Sequence, residues 1–466
     1  MKKLLSILIL GLASFAAAEE TYLGMYLQGS KIGYTSYTSI DAKLNGKAVR
    51  QSDSKTRMGA GLLGAALQIE SDSTTWPDPA GRPVKMLFAM RSSGREQKVN
   101  AAFGSSEVKL DIENSGTKSQ KVLKIPQGAP IVDDPISLVV TGSKARVFYV
   151  LDPTTVSFVK NNVRVLGKGS TTVRGKPVQG TEIEMVDPRA TTKVWVSAKG
   201  DLIKAEAPMG IEMIPVSREE ALGKAPAGSP IVDLASATSL KTDREINDPD
   251  SLSKLKLMFE GRDLSRVPSD AHQTLNGSGK EWVVTVHPLR LTDGDSISIE
   301  EAGKQQAAWV KPSLHIPSDS ARFKAIAKEV VGDSPDVRSA ALKVRAYVNR
   351  TLKPNAGIGV LRDANDVLDT KEGVCRDYAI LAATISRAAG IPTRLVSGLV
   401  NWDGTFYYHA WVEVWDGGRW LALDPTGGSE QISAAHVKLA NGNVEDAFTF
   451  TFLEKAKVKV LEMKRD

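Results

Sequence analysis

Hydrophobic and polar positions alternate with a period of two along much of the first half of the chain. Val108-Lys109-Leu110-Asp111-Ile112-Glu113 and Arg146-Val147-Phe148-Tyr149-Val150 are examples, set off by Gly, Pro, Asn and Asp. Such spacing predicts short half-buried strands from Thr21 to about Ile214, and Thr191 to Ala205 reads as two strands joined by a Lys-Gly-Asp turn. Residues 58–69 (MGAGLLGAALQI) are apolar, glycine-rich and too short to cross a membrane. A buried strand or loop is one reading of them, and a lipid- or partner-binding surface is the other. Residues 215–250 turn to Ala, Ser, Pro and charge, which predicts a linker. Alternation returns at Lys254 to Leu257 and at Trp282 to Val286, predicting a small β module at 251–312.

Beyond Ser320 the period lengthens. Phe323, Ile326, Ala327, Val330 and Val331 recur at helical spacing, and Ser334-Pro335 reads as the cap and first position of a helix running to about Leu352. Its apolar positions Ala341, Leu342, Val344, Val348 and Leu352 would face a core. Strands first and helices mixed with strands later make this an α+β chain of several domains.

Composition adds compartment and partners. Lys2 and Lys3, the apolar stretch Leu4 to Phe15, and Ala16-Ala17-Ala18 have the order of a secretory signal peptide at 1–18. The chain is then expected in a periplasm or outside the cell, with no transmembrane segment left after cleavage. Losing that leader lowers the formal charge from +6 to about +4, and no dense Lys/Arg block is present, so nucleic acid is not expected as a partner. A single cysteine, Cys375, rules out an internal disulfide and leaves one thiol in an oxidising compartment.

The setting of that thiol is informative. An apolar run after Gly373-Val374-Cys375-Arg376-Asp377 is stopped by Gly390-Ile391-Pro392, so the predicted helix begins near Cys375. Unpaired N–H groups and the positive end of the helix dipole stabilise a thiolate there. Downstream, Tyr407 to Trp415 and Trp420 to Thr426 flank Asp416-Gly417-Gly418-Arg419, a strong hairpin signal. If Gly417-Gly418 is a two-residue turn, residue 416 faces 419 and Trp411 faces Asp424. His409 then becomes the diagonal same-face neighbour of Asp424, within side-chain reach. The remaining histidines, His272, His287, His315 and His436, read as structural. One cysteine and no paired His spacing point away from zinc, and the lack of an acidic calcium loop points away from Ca²⁺.

GVCRDYA, GIPTR, HAWVEVW and WLALDPT, in that order across 364–428, resemble the bacterial transglutaminase-like superfamily, whose core is similar to papain-type cysteine peptidases. The resemblance implies that Cys375 is the nucleophile, His409 the general base and acid, and Asp424 the group that orients the imidazole. It implies a peptide or protein substrate and no metal or cofactor. Thr393 stands where Ala is common, and Leu399 where an aromatic often follows Ser-Gly; no Trp or Gln is placed to supply a side-chain oxyanion donor. The expected architecture is an exported α+β protein with a β-rich domain at 19–214, a linker at 215–250, a small β module at 251–312 and a papain-like transglutaminase core at 313–466. The β-rich domain is similar in composition and arrangement to curved-sheet domains attached to such modules in exported bacterial proteins. Two functions fit these residues. One is a thiol enzyme acting on amide bonds, with hydrolysis ahead of amine transfer. The other is an envelope binding or assembly protein that retains an enzyme-like core.

Overall fold

The structure, a computed structural model, describes residues 20–62, 65–187, 191–223, 232–292, 294–427, 429–447, 453 and 456–465. The leader expected at 1–18 lies outside the described residues. The chain forms two compact units, one reaching residue 237 and including 357–361, the other made of 238–356 and 362–466.

The first unit is dominated by a sheet of fourteen strands among the described residues. Its middle is Thr21–Leu27, paired antiparallel with Ser30–Leu44 on one side and Ile211–Val216 on the other. From there each wing runs outward strand by strand, so most neighbours are consecutive in the chain. Gln28-Gly29, Asn45-Gly46, Ser93-Gly94, Ser115-Gly116 and Arg174-Gly175 all have positive φ at both positions. That is the two-residue turn whose twist matches the strands it joins, and it fixes each register locally. The apolar stretch 58–69 supplies the paired ends of Lys47–Leu62 and Ala65–Pro77. Buried Met58, Ala60, Leu67 and Ile69 alternate there with exposed Gly59 and Gln68, so the strand reading holds.

Two boundaries differ from the sequence expectation. The stretch 215–250 is not a plain linker. Ser217 caps a helix at Arg218–Leu222, and Leu240–Lys241 pairs with Phe406 and Thr405 as an edge strand of the second unit. Buried Leu240 and Ile246 draw this segment into the second unit's core despite its polar composition. The β module at 251–312 does not stand alone either. Leu252–Glu260 pairs with Glu281–Val286 on one side and with the C-terminal strand Lys457–Arg465 on the other. Its Leu255, Phe259 and Val284 share one apolar core with Leu399, Phe406 and Val437. A three-stranded piece with one apolar face needs that cover.

The second sheet of this unit has the order Leu240–Lys241, Thr405–Trp415, Thr393–Trp402, His436–Gly442, with Trp420–Leu423 also on Thr405–Trp415. Helices Ala321–Val331, Val337–Thr351 and Cys375–Ala388 pack together, and the last also packs on Thr405–Trp415. Asp336, not Ser334, caps the second helix: its Oδ1 accepts from Ser339 N at 2.8 Å, while Ser334 Oγ donates to Val331 O at 2.6 Å. A carboxylate at the cap also complements the helix dipole, which a serine cannot.

Candidate active site

Cys375 is the first residue of helix Cys375–Ala388 and is 9% exposed. Asp377, two residues on, sets the start of this helix. Its Oδ2 accepts from Val374 N at 3.0 Å, the return half of a capping box. Asp377 is itself buried and pairs with Arg362 Nη2 at 2.9 Å and Arg376 Nη2 at 3.4 Å. Burial pushes its carboxyl up, but the two guanidinium groups and the Val374 amide outweigh that and hold it below the usual range. Arg362 also donates to Glu372 O at 2.7 Å, tying down the approach to the cysteine. The thiol therefore sits on a fixed backbone at the positive end of a fourteen-residue helix.

His409 lies on Thr405–Trp415. The hairpin pairs Trp415 with Trp420 and Val412 with Leu423, which is the register expected from a Gly417-Gly418 turn. Both glycines have positive φ, and Asp416 N donates to Arg419 O at 2.9 Å. His409 Nε2 lies 2.7 Å from Asp424 Oδ2. The other carboxylate oxygen, Oδ1, accepts from Thr426 N at 2.8 Å and Thr426 Oγ1 at 2.7 Å. Burial disfavours ionised Asp424, yet the charge and hydrogen bond of His409, with His436 Nε2 nearby at 3.7 Å, hold its carboxyl well below the usual carboxylate range. An ionised Asp424 only accepts, so His409 Nε2 carries a proton and Nδ1 is the nitrogen left for acid–base work.

The supports of this pair come from several elements. Arg345, on Val337–Thr351, donates to Asp424 O at 2.9 Å, to Gly427 O at 2.5 Å and to Ser429 O, while Asn349 Nδ2 donates to Pro425 O at 3.1 Å. The Trp411 ring stacks beside His409 with centroids 6.3 Å apart. Gly398 faces His409 across the sheet, where a Cβ would fall 2.1 Å from Val437 O and 2.5 Å from the Trp411 ring. Only glycine lets Trp411 lie so close to the backbone. On the same sheet, fully buried Lys438 meets Glu413 and Asp270, and Arg394 reaches Glu413 at 2.6 Å.

The transglutaminase-like superfamily model matches residues 324–425, a span that contains Cys375, His409 and Asp424. This region is a member of the transglutaminase-like superfamily. Over 87 residues, 16% of this chain and 13% of the relative, the sequence is 40% identical to a protein-glutamine gamma-glutamyltransferase of Pseudomonas aeruginosa. Over 126 residues, 25% of this chain and 44% of the relative, it is 30% identical to an uncharacterised protein of Mycobacterium leprae. The chain thus spans less than half the length of either relative. A solved structure from Cytophaga hutchinsonii, provisionally named a cysteine protease, covers 49% of this chain and 86% of its own, at 17% identity and TM-score 0.31. A β-barrel-like protein from Brucella abortus covers 42% of this chain and 96% of its own, at 11% identity and TM-score 0.31.

Of the residues singled out in the sequence, the structure joins His409 to Asp424 directly. It puts Cys375 at the start of the helix that packs on the strand carrying His409. His436, which reads as structural in the sequence, lies with Nε2 3.7 Å from Asp424 Oδ2 and its ring edge-on to Trp411. Arg345 lies inside the matched span and His436 beyond it, and no spacing signal links either to the four sequence blocks; Gly398 is the glycine of the Ser-Gly pair before Leu399. Thr426 was within reach, since it follows Asp424-Pro425 in the WLALDPT block.

Proposed function

We propose that this protein is an exported thiol enzyme that acts on amide bonds of peptides or proteins through Cys375, His409 and Asp424, with water as the acceptor. The observation that carries this reading is the 2.7 Å contact between His409 Nε2 and Asp424 Oδ2. It fixes the imidazole tautomer whose Nδ1 can take the thiol proton. The Cys375 sulfur then attacks the amide carbonyl, and a C–S bond forms as the carbonyl oxygen takes negative charge. The helix-start N–H of Cys375 is placed to stabilise that oxygen. His409 Nδ1–H gives its proton to the leaving amine as the C–N bond breaks, leaving a thioester. Water, deprotonated by the same nitrogen, releases the acid and returns the thiol. A second amine in place of water would give transfer, the reaction named for the Pseudomonas aeruginosa relative.

Alkylation of Cys375 by iodoacetamide across pH 5–9 tests this reading, with His409→Ala for comparison. The wild-type protein is expected to react fast at pH 6–7, where an ordinary thiol with pKa near 8.5 is mostly protonated, and the variant slowly. Mass spectrometry of peptides incubated with and without a primary amine separates hydrolysis from transfer, with Cys375→Ala as the blank. Identical alkylation profiles for wild type and His409→Ala would overturn the reading.

A further inference from the structure

Asp424 has imidazoles on both sides. His409 Nε2, Asp424 and His436 Nε2 present ligand atoms that all lie within 4.8 Å of one another. His436 is 7% exposed, and its Nε2 is a buried nitrogen with no hydrogen-bond partner among the described residues. Its other nitrogen, Nδ1, faces Ser433 Oγ at 3.2 Å, so the ring is held with Nε2 toward the carboxylate. Asp424 Oδ1 is taken by Thr426, which leaves Oδ2 as the oxygen shared by both rings. Two imidazole nitrogens and one carboxylate oxygen, the carboxylate braced by Thr426 and the His436 ring by Ser433, are a donor set suited to zinc and its neighbours rather than to calcium or magnesium.

We propose that His409, Asp424 and His436 bind a single Zn²⁺ ion, and that the bound ion switches the thiol chemistry off. The binding half stands on geometry alone; the switching half rests on the function proposed above. Tetrahedral zinc with bonds of about 2.0–2.1 Å sets its ligand atoms about 3.4 Å apart. The 2.7 Å His409–Asp424 contact must therefore open and the others close, shifts on the order of 1 Å that side-chain rotation supplies. His409 is partly exposed, so the ion can enter from its side and take solvent as a further ligand.

The chemical consequence follows from the tautomer. In the tautomer set by Asp424, the single ring proton of His409 is on Nε2. Zinc takes the Nε2 lone pair, so that proton is lost from Nε2 and a neutral ring bound through Nε2 carries its one proton, exchanged through solvent, on Nδ1. That nitrogen can no longer accept the thiol proton, so the base is blocked without any bond to Cys375.

The test uses the full chain, stripped of metal by a chelator and titrated with Zn²⁺, with Co²⁺ as a spectroscopic probe and Ca²⁺ as control. One Zn²⁺ per chain is expected, with Kd raised at least tenfold by His436→Gln, and binding retained by Cys375→Ala. Zinc should slow Cys375 alkylation at pH 7 at least tenfold in wild type, and leave His436→Gln at its own metal-free rate. X-ray absorption of the zinc-loaded wild type needs no variant: nitrogen and oxygen neighbours near 2.0–2.1 Å are expected. A sulfur neighbour near 2.3 Å, loss of binding in Cys375→Ala, or no binding at all overturns the proposal. Zinc binding with N/O ligands but no effect on alkylation would remove the switch and leave the site. Failure of the proposed enzyme function shows separately, as a wild-type alkylation profile insensitive to His409→Ala in the absence of metal.

Discussion

Asp424→Asn is the perturbation that most directly tests how His409 is oriented. A free asparagine could offer its carbonyl oxygen to His409 Nε2–H and do the work of the aspartate. Here it cannot turn that way. Thr426 N and Oγ1 both donate to Oδ1, at 2.8 and 2.7 Å, and the backbone N–H cannot be anything but a donor. The amide oxygen of the substituted side chain must stay on the Thr426 side, which points its NH₂ at His409. His409 can meet that donor only by giving up its Nε2 proton, so Nδ1 keeps one and stops being a base. Asp424→Ala, by contrast, removes a charge-assisted hydrogen bond worth about 1.5–3 kcal/mol, or about one to two powers of ten in rate, and leaves the tautomer free. Forcing the wrong tautomer should cost about 10³–10⁴.

The asparagine variant is therefore expected to be worse than the alanine variant, an inversion of the usual order of conservative and drastic changes. The assay is the second-order rate of Cys375 alkylation at pH 6.5 and amide turnover, with thermal melting to confirm that each variant is folded. Nitrogen chemical shifts of His409 report the tautomer directly. If Asp424→Asn keeps activity within tenfold of wild type while folded, the orientation argument fails and Asp424 is not the group that sets the base.

Gly398→Ala puts a methyl 2.1 Å from Val437 O, a backbone atom that cannot move without the strand, so a loss of about 3 kcal/mol or more in denaturant unfolding is expected. Arg345→Met keeps the length of the side chain but leaves the carbonyls of Asp424, Gly427 and Ser429 without their shared donor. It should cost about 2 kcal/mol or more, and lower turnover with the fold retained, since the loop that carries Asp424 loosens. In the N-terminal unit, burial and the charge of Asp133 push Asp134 up to about 7, although its Oδ1 caps helix Pro135–Val140. The folded state then binds the proton more tightly than the unfolded chain, so stability is present at acid pH and is lost as pH rises from about 4 through 7. Asp134→Asn keeps the cap and removes the charge. Asp134 is partly accessible, and solvent screening should hold the gain at pH 8 to about 1–2 kcal/mol, vanishing near pH 4. Melting curves of both proteins at the two pH values check it.

What could be read from the sequence about this site follows from how local each determinant is. The register of Thr405–Trp415 with Trp420–Leu423 is fixed by a two-glycine turn between them, so counting back from the turn brings His409 to Asp424 with no knowledge of the rest of the fold. The helix beginning at Cys375 is fixed just as locally, by Asp377 and the Gly390 stop. His436 is different in kind. Its strand meets Thr393–Trp402 on the side away from the hairpin, in a register shifted at Ser397/Gly398, and no turn joins the two strands. Arg345 is read correctly as helical, but its reach to three carbonyls of a loop about eighty residues later depends on how helix and sheet dock.

Charge was the least legible signal of all, for a related reason. Glu413 alternates with apolar neighbours in Thr405–Trp415 and would be placed toward water if that strand lay at a half-exposed surface. Instead both faces of the strand are covered, and Glu413 and Lys438 are fully buried. Their mutual contact, with Arg394 and Asp270 alongside, makes burial tolerable, and each of the four comes from a different stretch of chain. A buried ionic group must find its partner before it can be sealed from water. This network therefore specifies which strands lie side by side, and removing one member, as in Glu413→Gln, should destabilise the protein by about 3–5 kcal/mol through the charges left behind. Replacing Glu413 and Lys438 together with Gln and Met should cost less than Glu413→Gln alone. A double variant that is less stable than the single one would show that the pair contributes net attraction rather than partner choice.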